Sequence, residues 1–124
     1  MRINKNEYLT AVKNLKEDIQ YYFSESKLDS LRLCYLVEEY CENFIHNEEE
    51  ALLSALTFEG ALFEVTGNIY HLPSLKEDIK KFESGFTFTM INKDEYEYLK
   101  NNVNKLKKFI QSLPPDFQTW FDVP

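Results

Sequence analysis

The chain is predicted to be all-α, a bundle of four to five helices built on a central helical hairpin, with at most one short extended segment near 86–91. Three observations lead there. The stretch 48–66, EEEALLSALTFEGALFEVT, is apolar on nearly every side of a helical wheel, as a helix buried between other elements must be. The segments on either side of it carry apolar residues at steps of three and four. Only three glycines and four prolines occur in 124 residues, too few for a turn-rich sandwich of short strands.

Residues 4–23 read as the first helix. Tyr8, Val12, Leu15, Ile19 and Tyr22 make one stripe, with Leu9 and Phe23 beside it. Asn4 followed by Glu7 has the form of a helix start. The polar run 24–27 is a connection, and Asp29 or Ser30 caps a second helix reaching about His46. Its apolar arc runs from Leu33 and Cys34 to Phe44 and Ile45, and its polar arc holds Arg32, Glu38, Glu39, Glu42, Asn43 and His46. The connection at 46–48 is so short that this helix and the next are expected to pack antiparallel as the hairpin 29–66.

In the third helix, 48–66, Ala51, Ala55, Phe58, Leu62 and Val65 form one stripe; Leu52, Leu53, Leu56, Gly60 and Phe63 form another. Gly60 marks a place where a neighbouring helix crosses closely, and Gly67 suits the position after the helix end. The segment 68–73, NIYHLP, is apolar enough to dock. Ser74 and Glu77 have the spacing of a capping box for a short helix with Leu75, Ile79 and Phe82 on one face, ended by Ser84-Gly85. Phe86-Thr87-Phe88-Thr89-Met90-Ile91 alternates like a strand, but no partner strand is evident, so an extended docked loop is equally consistent. Asn92 with Glu95 opens a last helix reaching about Leu113. There Tyr96, Leu99, Val103, Leu106, Ile110 and Leu113 form a heptad-like seam over 96–113, suited either to a bundle or to a homodimer. Pro114-Pro115 stops that helix. Phe117, Trp120 and Phe121 of the tail are expected to close one end of the core rather than stand in solvent.

A chain of this length suits one domain, 1–124, which buries roughly two-thirds of its unfolded surface without needing disulfides or metals. Cys34 and Cys41 are seven residues apart, which on a helix places them roughly 10 Å apart along the axis, too far for a mutual disulfide. Reduced core thiols, no apolar run of signal-peptide length and no segment of membrane-spanning length lead to a cytoplasmic expectation.

No catalytic signature is present: no glycine-rich phosphate loop and no serine or cysteine in a nucleophile setting. A carboxylate-bridged metal site needs Glu-x-x-His on two helices, but Asn43 precedes His46 and Asn68 precedes His71 at that spacing. No metal or cofactor is expected. Glu59, inside an otherwise apolar arc, is a candidate structural or site carboxylate, and a small-molecule pocket near Glu59 and His71 is one alternative function.

Charge carries the strongest signal. From Leu33 to Leu75 there are eight glutamates and neither lysine nor arginine, while the remaining residues carry 13 acids against 14 bases, so the net charge of −7 arises in one region. Such a surface repels nucleic acid and anionic lipid and attracts a basic protein. Glu38, Glu39, Glu42, Glu48, Glu49 and Glu50 are the expected contact residues of a non-enzymatic binding module. Bacterial immunity proteins, which neutralise a toxin or nuclease by covering its basic site, exemplify this chemistry by size and charge alone. The other alternative is a protein that self-associates through the seam at 96–113.

Overall fold

The computed structural model describes residues 5–24, 39, 42, 47–69 and 71–114. Among them four helices follow one another: α1 (Lys5–Ser24), α2 (Glu48–Thr66), α3 (Leu72–Glu83) and α4 (Lys93–Ser112). The described residues contain no strand, and the fold is an all-α helical bundle. The expected helix 29–46, both cysteines and the aromatic tail lie outside the described residues, except that Glu39 and Glu42 are helical and exposed. The antiparallel hairpin therefore lies outside them as well.

Helix α2 begins where a short polar side chain can satisfy its first free N–H groups. The Asn47 side-chain oxygen accepts the Glu50 N–H at 2.8 Å, and its amide donates to the Glu50 carboxylate at 2.7 Å. The helix ends at Gly67, whose φ of 72° is left-handed and whose N–H donates to the Phe63 carbonyl at 2.8 Å. The Thr66 hydroxyl closes the same turn by donating to the Leu62 carbonyl at 2.8 Å.

Each of the other three helices packs on α2. On one side Leu52, Leu53 and Leu56 of α2 join Leu75, Ile79 and Phe82 of α3 and Leu99, Val103 and Leu106 of α4 in one buried cluster. Ile69, from the segment expected to dock, is fully buried in it. Elsewhere on α2 Phe58 and Leu62 are fully buried, and so are Leu15 and Ile19 of α1. This accounts for a helix that is apolar nearly all round: its sides face different neighbours.

One expectation is corrected. Helix α3 starts at Leu72, not after Ser74, and its cap is His71, whose side chain accepts the Ser74 N–H at 3.3 Å. Pro73 sits in the first turn, where its missing N–H was never needed, so the helix can open earlier than the Ser74–Glu77 spacing suggests. The segment 86–91 is a docked loop. Its alternation is real, since Phe86, Phe88 and Met90 are half-buried while Thr87 and Thr89 are exposed. The inward side meets other rings instead of a partner strand: Phe88 lies 5.9 Å from Phe82 and 6.2 Å from Tyr96, centroid to centroid. Finally, the seam of α4 is part of this chain's own core, because Leu99, Val103 and Leu106 are buried in the cluster.

Helix α4 opens with the expected full capping box. The Asn92 side chain accepts the Glu95 N–H at 2.8 Å, and the Glu95 carboxylate accepts the Asn92 N–H at 3.1 Å. Gly60 of α2 does face α4, but without crowding: a Cβ there would meet the Asn102 side chain at 3.8 Å, an ordinary contact. Gly60→Ala should therefore raise stability by about 1 kcal/mol through helix propensity, read as a higher urea midpoint with an unchanged slope. A loss of stability would mean that α4 sits closer to α2 than this geometry.

Candidate functional site

The acidic stretch separates into two groups once its partners are located. Glu39 and Glu42 are each helical and exposed. Glu38 lies outside the described residues. The glutamates of α2 behave differently, for each has a partner within the chain.

Glu48 is exposed and pairs with Lys81 of α3 at 3.1 Å. Glu49 clamps the loop before α4: its carboxylate accepts the Thr89 N–H at 3.0 Å, the Thr89 hydroxyl at 2.9 Å and the Met90 N–H at 2.7 Å. Glu50 is fully buried beside Asn47. Glu64 pairs with Lys16 of α1 at 2.7 Å. Glu49 and Glu50 were expected on a partner-binding face; the first is engaged by the loop and the second is enclosed in the fold. Both face donors that the linear charge pattern does not reveal.

Glu59 is buried, and its carboxylate accepts the His71 backbone N–H at 3.3 Å. It thereby holds the residue that caps α3. The imidazole of His71 is occupied by that cap and lies 3.0 Å from the Ser74 hydroxyl. Nδ1 faces both the Ser74 N–H and its hydroxyl, the geometry of a helix start. Among the described residues no three His, Cys, Asp or Glu side chains converge as metal ligands. No helix among them is long and apolar enough to cross a membrane.

A groove of about 420 Å³ lies between α1 and α4, away from Glu59 and His71. Its floor is Leu53, Thr57, Gly60 and Ala61, one face of α2. Leu9, Val12 and Lys16 line it from α1; Tyr98, Leu99 and Asn102 line it from α4. Residues Thr57, Gly60 and Ala61 are small, and α1 and α4 each pack on α2, so a channel remains between them. The pattern in the sequence that marks this channel is the run of small residues on one stripe of α2, opposite the off-stripe Leu9 and the solvent-side Tyr98.

One carboxyl is displaced in its titration. Burial pushes Asp78 above its ordinary value, Lys81 opposes that and Glu77 adds to it. Asp78 lies on α3, on the side of the core away from the groove.

Compared with known protein families, with curated proteins and with solved structures, the chain matches none.

Two measurements follow from these contacts. Removing the clamp with Glu49→Ala should lower stability by about 1–2 kcal/mol, the scale of hydrogen bonds to a charged acceptor at a half-exposed site, and should speed amide exchange at Thr89 and Met90. Unchanged exchange at those two amides would show that the loop is held by its aromatic side alone. For Asp78, the folded state binds a proton more tightly than the unfolded chain. Its contribution to stability therefore falls as pH rises from the ordinary carboxylate value through the raised folded value. Asp78→Asn should flatten that part of the melting-temperature profile between about pH 3 and 7 and raise stability at its neutral end. A profile parallel to wild type would place Asp78 in water.

Proposed function

We propose that the protein is a non-enzymatic binding module that engages a basic protein through the acidic helix carrying Glu39 and Glu42. What supports this reading is that these two residues are each helical and exposed, within a stretch that has no lysine or arginine from Leu33 to Leu75. The nearest base in sequence is Arg32, seven residues before Glu39, so the acids outnumber it on the expected polar arc. The field of such a face steers a basic partner into encounter and disfavours nucleic acid and anionic membranes.

The partner that fits best is a basic toxin or nuclease. An enzyme acting on a polyanion must present cationic side chains to phosphate, and an acidic helix laid across them blocks substrate by competing for the same charges. Neutralisation of this kind needs no catalytic group and no cofactor in the neutralising protein. An intracellular place of action fits the same reading.

The test is charge reversal of Glu38, Glu39 and Glu42 to Lys together, with affinity capture from a host lysate at low and high salt. Wild type should retain a basic protein whose binding weakens with salt, and the variant should lose it while melting like wild type. Equal retention by both proteins would remove this helix from the interface.

A further inference from the structure

We propose that the junction of α3 and α4 is a second interaction surface, opposite in sign to the acidic stretch, and that it takes an acidic peptide segment of a partner with one aliphatic anchor. This surface is independent of Glu39 and Glu42 and of the basic partner assigned to them.

The charge begins in the sequence. From Tyr98 to Pro115 the chain has lysines at 100, 105, 107 and 108 and no aspartate or glutamate. Lys100, Asn104, Lys107, Lys108 and Gln111 fall at steps of three and four, so they share one face of α4. Lys76 and Lys80 are likewise one turn apart on α3. The fold sets these two edges side by side: Lys76 lines a cleft with Lys107 and Gln111, and Glu83 of α3 reaches Lys107 at 2.6 Å.

Most of that charge is unanswered. Glu83 engages Lys107, but Lys76, Lys80, Lys100 and Lys108 are exposed, and none of their ammonium groups has an ion pair among the described residues. Glu77 is exposed about 100° around α3 from Lys76, and Lys81 lies farther round, where it meets Glu48. Of the four unanswered lysines only Lys80 stands in the last turn of its helix, so the helix dipole does not account for the others.

Shape supplies the anchor. The cleft between the two helices has a volume of about 180 Å³. Its floor is aliphatic, Ile79 buried and Ile110 half-buried, beneath a rim of Lys76, Lys107 and Gln111. An apolar cavity of about 150 Å³ holds a molecule the size of benzene, so this cleft holds one leucine-sized side chain. Carboxylates on either side of that anchor then meet Lys76 and Lys80 of α3 and Lys108 of α4, with the Gln111 amide as a neutral donor.

The same surface disfavours other polyanions. No aromatic ring lines the cleft for a base to stack on, and the chain's net charge of −7 repels nucleic acid. An anionic membrane requires apolar side chains beside the lysines to enter it. The exposed large hydrophobics among the described residues are elsewhere, Leu9 and Tyr21 on α1 and Tyr98 in the groove on the other flank of α4.

The probe is a fluorescent peptide of about 12 residues with a central leucine and two glutamates on each side, the rest glycine and serine. It is titrated into the full chain at about 50 mM and about 200 mM salt, with amide chemical-shift mapping. Beside it run a copy with serine in place of leucine, a DNA single strand of equal charge, and phosphatidylserine vesicles. The leucine peptide should bind, shift Ile79, Lys107 and Ile110, and weaken at least about threefold at the higher salt. The serine copy should bind about tenfold more weakly. Lys76→Glu with Lys80→Glu should weaken the leucine peptide at least about tenfold while melting like wild type. Lys105→Glu, on the flank beside Glu64, should leave it within about twofold. Absence of binding at the lower salt, equal affinity for the two peptides, shifts confined to another face, or indifference to the Lys76 and Lys80 reversal would overturn the proposal. So would tighter binding of the DNA strand or the vesicles than of the leucine peptide, which would make the occupant a nucleic acid or a membrane.

Discussion

Helix α2 combines two demands that conflict. Its apolar residues require cover on nearly all sides, yet it carries five glutamates, and a carboxylate carried into that cover without donors is strongly destabilising. The fold reconciles them by giving each carboxylate a donor from a different element. Asn47 supplies one for Glu50 and so sets where α2 begins. The His71 N–H supplies one for Glu59 and fixes where α3 begins. The loop before α4 supplies three for Glu49. Lys81 and Lys16 answer Glu48 and Glu64 from α3 and α1. The exposed ion pairs contribute only about 0–1 kcal/mol each. Breaking a buried partner would cost more, because the carboxylate left behind would be unsatisfied. Ser54 is the exception on this helix, a buried hydroxyl without a hydrogen-bond partner among the described residues.

The order of elements after α2 follows from the same anchoring. Gly67 turns the chain, Asn68 and Ile69 are buried at once, and His71 caps α3 with its backbone already held by Glu59. Helix α3 is then short because Ser84-Gly85 ends it, Gly85 at a φ of 96°. The loop that follows is fastened on two sides, by Glu49 to its backbone and by Phe82 and Tyr96 to its rings. It delivers Asn92 to the position where α4 can start with its capping box.

How far this was readable depended on the range of the interaction involved. Periodicity and caps are local, so α1, α2 and α4 and the turns at Gly67 and Ser84-Gly85 were legible within a residue or two. The start of α3 was missed because an imidazole nitrogen replaced the hydroxyl that the spacing favoured. The seam of α4 was legible as apolar but not as to partner, since a bundle and a dimer demand the same pattern. Charge was the least legible feature. Glu49 finds its donors 40 and 41 residues away, and no composition count distinguishes that from a glutamate facing solvent. The groove was only partly legible for a related reason: the small residues share a stripe of α2, but Leu9, Thr57 and Tyr98 are brought together only by packing.

Internal use of the α2 carboxylates bears directly on where function can reside. A carboxylate already accepting from the fold can serve a partner only by giving up that donor, so the region after Asn47 is poorly placed to supply binding energy. The exposed acids Glu39 and Glu42 lie before Asn47. What α2 offers instead is steric: small residues that leave a channel, on a helix held by every neighbour it touches. Charge before Asn47 and shape after it are thus separate resources of one chain.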